Sequence, residues 1–368
     1  MAGDWVTTAE HQAARPKVAF VDAEHAARRR AGWWTLGLAV VLLASAVVTA
    51  GIGPVPVAPE TIVQIVTHHL AGIPATPTWS ASDDAIIWNV RIPRILLGVA
   101  VGAGLALCGA ALQAMVRNVL ADPYVLGISG GASTGAAGAI LFGVGAGIGE
   151  YALPASAFLG AFAASMLVFV IARAAGAITS IRLLLAGVAV GYALSAATSF
   201  LIFASDSAEG SRSVMFWLLG SLGLARWDPV LAIAVLVVAA TLIALMLSGR
   251  SLDAIAAGDE TALTLGVSPD RTRIALLAIV SLCTGVAVAA AGAIGFVGLV
   301  IPHLARRLVG SVHRRMLPVT ALLGAIFLIW ADALARTLMQ PRELPIGVLT
   351  AIVGAPFLLF LVRRMYAR

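Results

Sequence analysis

Ten predominantly apolar runs follow one another along the chain, with polar positions confined to the segments between them. A helix crossing the hydrocarbon core needs about 20 such residues. The runs fall at about 33–51, 94–115, 123–143, 152–174, 183–204, 229–248, 274–293, 295–309, 317–338 and 344–362. The eighth is short and contains Pro302, which kinks a helix unless neighbours satisfy the carbonyl it frees. The pattern predicts an all-α polytopic membrane protein with about ten transmembrane helices. Residues 1–30 read as a cytoplasmic tail, with a short helix around Val21–Arg30, and 31–368 as the transmembrane domain. Two connections stand out. The outer loop 52–93 carries Pro54, Pro56, Pro59, Pro74 and Pro77 with Glu60, Asp83 and Asp84. The inner loop 249–273, punctuated by Gly258, Gly266 and Pro269, predicts two short helices at the membrane surface.

Composition agrees with this pattern. Of 368 residues, 60% are hydrophobic and 11% charged, with mean hydropathy +0.99, which excludes an ordinary soluble enzyme. Cys108 and Cys283 lie inside apolar runs, so neither a disulfide scaffold nor metal-ligand spacing is present. The net charge of +6 does not call for nucleic acid, because its distribution follows the membrane. With the N-terminus inside, 18 basic residues fall on inner segments and six on outer ones: Arg91, Arg94, Arg212, Arg226, Arg336 and Arg342. The positive-inside rule then places both termini in the cytoplasm. Arg28–Arg30 ahead of an apolar run could head a signal peptide. The long leading segment with its four acids, and the length of the run, favour a retained first span.

Small residues recur at helical spacing in Gly98-xxx-Gly102, Gly131-xxx-Gly135 and Gly292-xx-Gly295-xx-Gly298, which lets helices approach closely in lipid. Ionisable groups inside spans are nearly absent. Asp332 is the clear case, and Arg336 one turn on reads as its i,i+4 partner rather than as part of a proton relay. An ATP-binding loop needs Gly-Lys-Ser/Thr, whereas Lys17, the single lysine, sits in the tail. Gly127-Ile128-Ser129-Gly130-Gly131 matches a nucleophile elbow, but it lies in an apolar helix without the required strand or partners. No catalytic residue, cofactor or metal site is expected. His68, His69 and His313 read as solvated loop histidines, and His303 as a bond donor to the carbonyl freed by Pro302.

Several segments go beyond composition. The stretch Gly292-Ala293-Ile294-Gly295-Phe296-Val297-Gly298-Leu299-Val300-Ile301-Pro302-His303-Leu304-Ala305-Arg306 resembles the signature of the FecCD family. Arg91-Ile92-Pro93-Arg94, Asn118-Val119-Leu120-Ala121-Asp122-Pro123, Arg182-Leu183-Leu184-Leu185-Ala186-Gly187, Phe216–Ser221, Glu343–Ala351 and Gly354-Ala355-Pro356 resemble it in the same order. The resemblance covers about 33–364. It implies the ten-helix fold of the vitamin B12 permease, in a permease subunit of an ATP-driven importer for iron(III)-siderophores, haem or cobalamin. It also implies a second permease subunit (a homodimer), two ATP-binding subunits inside, a substrate-binding protein outside, and surrounding lipid of a bacterial inner membrane.

Site residues follow by the same resemblance. Arg91, Arg94 and Arg336 match positions that dock acidic residues of the binding protein. The segment 251–267 resembles coupling helices, with Asp259, Glu260, Ala262, Leu265 and Gly266 at the ATPase contact. Asn118, Val119 and Leu120, with Thr179 and Ser180, resemble a cytoplasmic gate, Val119 standing where the family usually has proline. The pathway is expected at the dimer interface, lined by the fifth span. Two rival readings are an ion-coupled secondary transporter and an intramembrane hydrolase using Ser129.

Overall fold

The computed structural model describes the backbone of residues 4–174, 176 and 178–366. Side chains are described for 24–174, 176, 178–360 and 363. Residues 1–3 of the expected tail, and the side chain of Lys17, lie outside the described residues. Helix α1, Asp4–Gly51, runs without a break at residue 30, so the described part of the tail continues the first span rather than forming a separate short helix. Glu24 on this helix bonds Arg315 at 2.8 Å, fixing it against the inner end of the bundle.

The outer loop contains structure that its prolines obscured. Helix α2, Pro59–Ala71, has Pro59 and Glu60 in its first turn and buries Ile62 and Ile65. It ends on Gly72, whose left-handed backbone lets its N–H return to the His68 carbonyl. After the short α3, Ala81–Asp84, a π-helical turn over Ala85–Arg91 feeds directly into α4, Ile92–Val116. Pro93 has no N–H to donate to residue 89, so the widened turn absorbs the missing bond without a break.

Helix α4 is the axis of the molecule: 22 of its 25 residues are buried, small side chains facing neighbours on every side. Helices α5, Ile128–Phe142, α6, Ala152–Ala174, and α7, Ser180–Phe203, form one packed group. The short α8, Ala208–Leu218, crosses the outer end and leads to α9, Pro229–Leu247. At the inner end come α10, Gly249–Ala257, and α11, Asp259–Thr264, the two short helices expected there. Helix α12, Pro269–Ala291, α13, Val297–Val309, and α14, His313–Thr337, pack with α9 around α4, and α15, Ile346–Tyr366, closes the chain.

All ten expected spans are therefore helices, as α1, α4–α7, α9 and α12–α15. Seven described helices are long and apolar enough to cross a membrane, and α5 and the apolar stretch Ile346–Phe360 of α15 are shorter. Helix α13, with 13 residues, extends only about 20 Å and cannot cross alone. Contacts group the charged residues at two opposite ends of the bundle, for which the inner and outer labels of the charge reading are kept. Arg173 meets Asp270, Arg314 meets the Met246 carbonyl and Arg315 meets Glu24 at one end; Arg226 meets Glu150 and Arg94 meets Glu343 at the other.

In lipid, helices associate through close packing rather than through hydrophobic burial, and the glycine faces supply the contact. Gly102 lies against Gly324, and Gly131 against Gly160. Gly109 lies against Gly298, whose carbonyl occupies the place a β-carbon would need. An alanine at 109 must push α13 away from α4. G109A should lower stability by about 1–3 kcal/mol and lower the thermal midpoint in detergent. G295A, with nothing within 4 Å of its new carbon, should leave the midpoint unchanged.

Candidate functional site

The outer end holds a buried ionic cluster. Arg91 closes the π-helical turn, Arg94 sits one turn into α4, and Asp332 and Arg336 are one turn apart on α14. Asp332 lies between two guanidiniums: Arg94 Nε donates to it at 2.8 Å and Arg336 Nε at 3.0 Å. The expected Asp332–Arg336 pair is present, with Arg94 as a third member that its sequence position did not announce. The remaining N–H groups of Arg336, with those of Arg91, hold the end of α1 and the turn after it, where the last helical carbonyls have no partner within their own helix. Arg336 donates to the Thr49 and Ile52 carbonyls at 3.1 and 2.7 Å, and Arg91 donates to those of Ala50 and Val55. Cations at a helix C-terminus also match its dipole.

All three arginines are thus buried, at 5%, 7% and 6% exposure, and each is bonded within the chain. Arg94 also reaches a carboxylate open to solvent. Its Nη1 and Nη2 donate to the two carboxylate oxygens of Glu343 at 3.2 and 2.8 Å. The Glu343 side chain is 48% exposed. Arg212 and Arg342 are exposed.

The inner end carries a second polar assembly. Asp259, first in α11, accepts from Arg273 Nη2 at 2.7 Å and lies 3.9 Å from Arg117. Arg273, 2% exposed, also donates to the Ile178 carbonyl at 3.1 Å, and Asp270 accepts from the Ile178 N–H. Thr179 caps α7, and the Ser180 hydroxyl donates to the Met115 carbonyl at the end of α4. The two expected gate segments therefore meet, and α11 is tied to both. Asn118 accepts from the Leu120 N–H, which sets the 118–120 turn, and Val119 and Leu120 are half-buried. The bond from Arg273 holds the Asp259 carboxyl below its ordinary value, whereas burial pushes that of Asp122 up to about 6.

Ala262 is fully buried against Ala254, Ile255 and Val267. Its face therefore belongs to the α10–α11 turn, and the exposed apolar surface of this segment is Leu263 and Leu265, flanked by Glu260 and Gly266. A short helix touching the rest of the protein on one side must turn some residues inward, so Leu263 takes the outward place that the resemblance gave to Ala262. His313 also differs from expectation: it is 5% exposed, and its Nδ1 lies 2.6 Å from Asp253, joining α14 to α10.

Gln113, missed in the sequence, is the central residue of the inner end. Pro302 deprives the Gly298 carbonyl of its helical donor, and Gln113 Nε2 supplies one at 3.1 Å. The same nitrogen reaches the Ala121 carbonyl, and Gln113 Oε1 accepts from Arg306. Gln113 answers the freed carbonyl, and the His303 ring meets Phe357 edge-on.

A cavity of about 750 Å³ opens near the outer end, lined by Tyr151, Phe216, Trp217, Gly220, Ser221 and Glu343 among others. Helix α7 leaves Leu185, Tyr192, Phe200 and Phe203 strongly exposed. Ser129 lies in the first turn of α5, its carbonyl accepting from the Ser133 hydroxyl. Among the described residues no group of histidine, cysteine and acidic side chains is placed to hold a metal.

The model of the FecCD transport family matches residues 37–364 of this chain. The chain belongs to that family. It is 40% identical over 367 residues to the cobalamin import system permease BtuC of Halobacterium salinarum, across 92% of this chain and 97% of that protein. The hemin transport permease HmuU of Yersinia pestis is 40% identical, over 78% of this chain and 86% of its own length. The Fe(3+)-citrate import permease YfmD of Bacillus subtilis is 40% identical, over 78% and 84%. Among solved structures, an inward-facing metal-chelate type ABC transporter superposes with a TM-score of 0.78 at 33% identity, covering 90% of this chain and 98% of that one. This FecCD chain is accordingly a multi-pass membrane permease.

Two measurements follow from the geometry. D332N leaves buried Arg336 without a counter-charge and Arg94 with Glu343 alone, which should cost about 3–5 kcal/mol in detergent unfolding. E150Q, at the exposed Arg226 pair, should leave the midpoint unchanged. Because the Asp259 value is depressed, its bond to Arg273 stabilises the fold above the ordinary aspartate range, near pH 3.9. That contribution disappears as pH falls through the lower folded value. Hydrogen exchange in 258–267 should accelerate on acidification through this window, and D259N should remove the pH dependence.

Proposed function

We propose that this permease is the membrane-spanning subunit of an ATP-driven importer that carries an iron(III)-siderophore, or a related chelate such as haem or cobalamin, into the cytoplasm. Two copies assemble as a homodimer, with two ATP-binding subunits at the inner face and a substrate-binding protein at the outer. Both termini face the cytoplasm. The family membership and the metal-chelate transporter superposition support the class of cargo; the siderophore is the preferred member of it.

The observation that carries this reading is the inner assembly of α11, Arg273 and the 178–180 segment. An ATPase pressing on the exposed Leu263 and Leu265 moves Asp259, which is bonded to Arg273. Arg273 holds Ile178 beside Thr179 and Ser180, and Ser180 is bonded to the end of α4 next to Asn118–Leu120. A push on Asp259, Glu260 and Gly266 therefore reaches both gate segments through hydrogen bonds of ordinary length. The bundle itself spends its single fully buried span carboxylate, among the described residues, on structure: Asp332 is counter-ion to Arg94 and Arg336, which leaves an ion-coupled mechanism without a relay. The exposed aromatic face of α7 is the proposed wall of the pathway between the two copies.

At the outer face, Arg91, Arg94 and Arg336 form the proposed docking site, with Arg94 meeting the partner and the other two holding the end of α1 beneath it. The test at the inner face is L265D in the assembled importer. Transport should fall at least tenfold while ATP hydrolysis persists and the thermal midpoint of the permease is unchanged. Normal transport per ATP in that variant would remove α11 from the coupling path.

A further inference from the structure

We propose that Glu343 is a place-holding carboxylate, occupying the outer fork of Arg94 until an acidic side chain of the outer partner takes its place, and that its release frees the start of α15 from the loop after α8. The inference rests on the reading that the outer face docks an acidic partner, and it says how that contact is kept ready and what it changes.

The geometry of Arg94 divides its guanidinium into two halves. The Nε edge is fixed by Asp332, whose side chain is 3% exposed, so the arginine stays in position whatever happens at its other end. The Nη edge is filled by Glu343, bidentate, from a side chain half open to solvent. A parallel two-oxygen fit of this kind is what a guanidinium offers any carboxylate. The cluster contains three guanidiniums and two carboxylates. Exchanging Glu343 for a carboxylate of the partner leaves that balance unchanged, and the displaced side chain goes to water rather than to hydrocarbon. Exchange at the Asp332 edge would instead strand a buried charge. Arg342, exposed and next in the chain, adds a cation at the point of approach.

Glu343 is also the first residue of a segment that holds the outer end shut. The Leu344 N–H bonds the Ala335 carbonyl at 3.0 Å, that of Ile346 the Gly220 carbonyl at 3.2 Å, and that of Gly347 the Leu219 carbonyl at 2.9 Å. The Ser221 N–H in turn bonds the Ala291 carbonyl at the end of α12. Glu343, Gly220 and Ser221 line the same 750 Å³ cavity, with Phe216 and Trp217 of α8 on its wall. Withdrawing Glu343 from Arg94 removes the ionic anchor of this strip to α4, leaving the start of α15 held by buried Ile346 and by two backbone bonds to the α8 loop. Partner docking is thereby converted into a looser outer mouth.

The test uses the full chain in lipid nanodiscs, with a hexaglutamate peptide as the acidic probe and phenylglyoxal labelling of Arg94 read by peptide mass spectrometry. E343Q should label at Arg94 several-fold faster than the unsubstituted protein and bind the peptide about three- to fivefold more tightly, the gain from removing one competing ion pair whose carboxylate is half open to solvent. The peptide should protect Arg94 in both proteins. If E343Q labels no faster and binds no tighter, while R94K binds the peptide more weakly, docking at Arg94 stands and the exchange is overturned. If R94K binds as the unsubstituted protein does, the docking reading itself fails. A spin label on Q340C, with Glu343 intact, should gain mobility when the peptide binds; unchanged mobility also overturns the proposed release.

Discussion

Backbone polar groups inside a bilayer have no water to turn to, and the two ends of this permease are organised around that fact. At the inner end Pro302 opens the carbonyl of Gly298, and Gln113 closes it from the central helix. At the outer end α1 stops with its last carbonyls unpaired, and Arg91 and Arg336 reach them from the π-helical turn and from α14. Burying those cations requires a counter-charge, which is why the single fully buried carboxylate among the described spans, Asp332, stands where it does.

The same constraint separates scaffold from moving parts. Groups that complete the backbone's hydrogen bonding, Gln113, Arg91, Arg336 and Asp332, are buried and multiply bonded. Groups positioned to exchange partners, Glu343 outside and Leu263 and Leu265 inside, are at least 48% exposed and lie on short segments. A permease worked from both faces needs this arrangement, since a partner can move only what the core does not require for its own satisfaction.

Much of this was legible in the sequence. Ten apolar runs gave ten helices, the inner glycines placed the α10–α11 turn, and the Asp332–Arg336 spacing announced its pair. The family resemblance located the segments that meet at each end. Other features depend on contacts that sequence spacing does not encode. Five prolines made 52–93 read as a loop, although Pro59, Glu60 and Gly72 are themselves the start and stop signals of α2. Gln113 sits 185 residues from the carbonyl it serves, and Arg94 lies 238 from Asp332, so neither partnership shows in local pattern. Ala262 turned inward because a short surface helix buries one side against its neighbours, and His313, at the start of α14, because it meets Asp253 of α10; both contacts are fixed by docking rather than by period.

The central claim is that the chain is a gated conduit whose driving energy comes from another subunit. It is tested most directly with the purified protein alone in sealed vesicles, loaded with a proton, sodium or potassium gradient and offered labelled ferric siderophore, haem or cobalamin outside. The account predicts no accumulation above the external concentration under any gradient. Sustained uphill accumulation of any of the three by the unaided chain would contradict it.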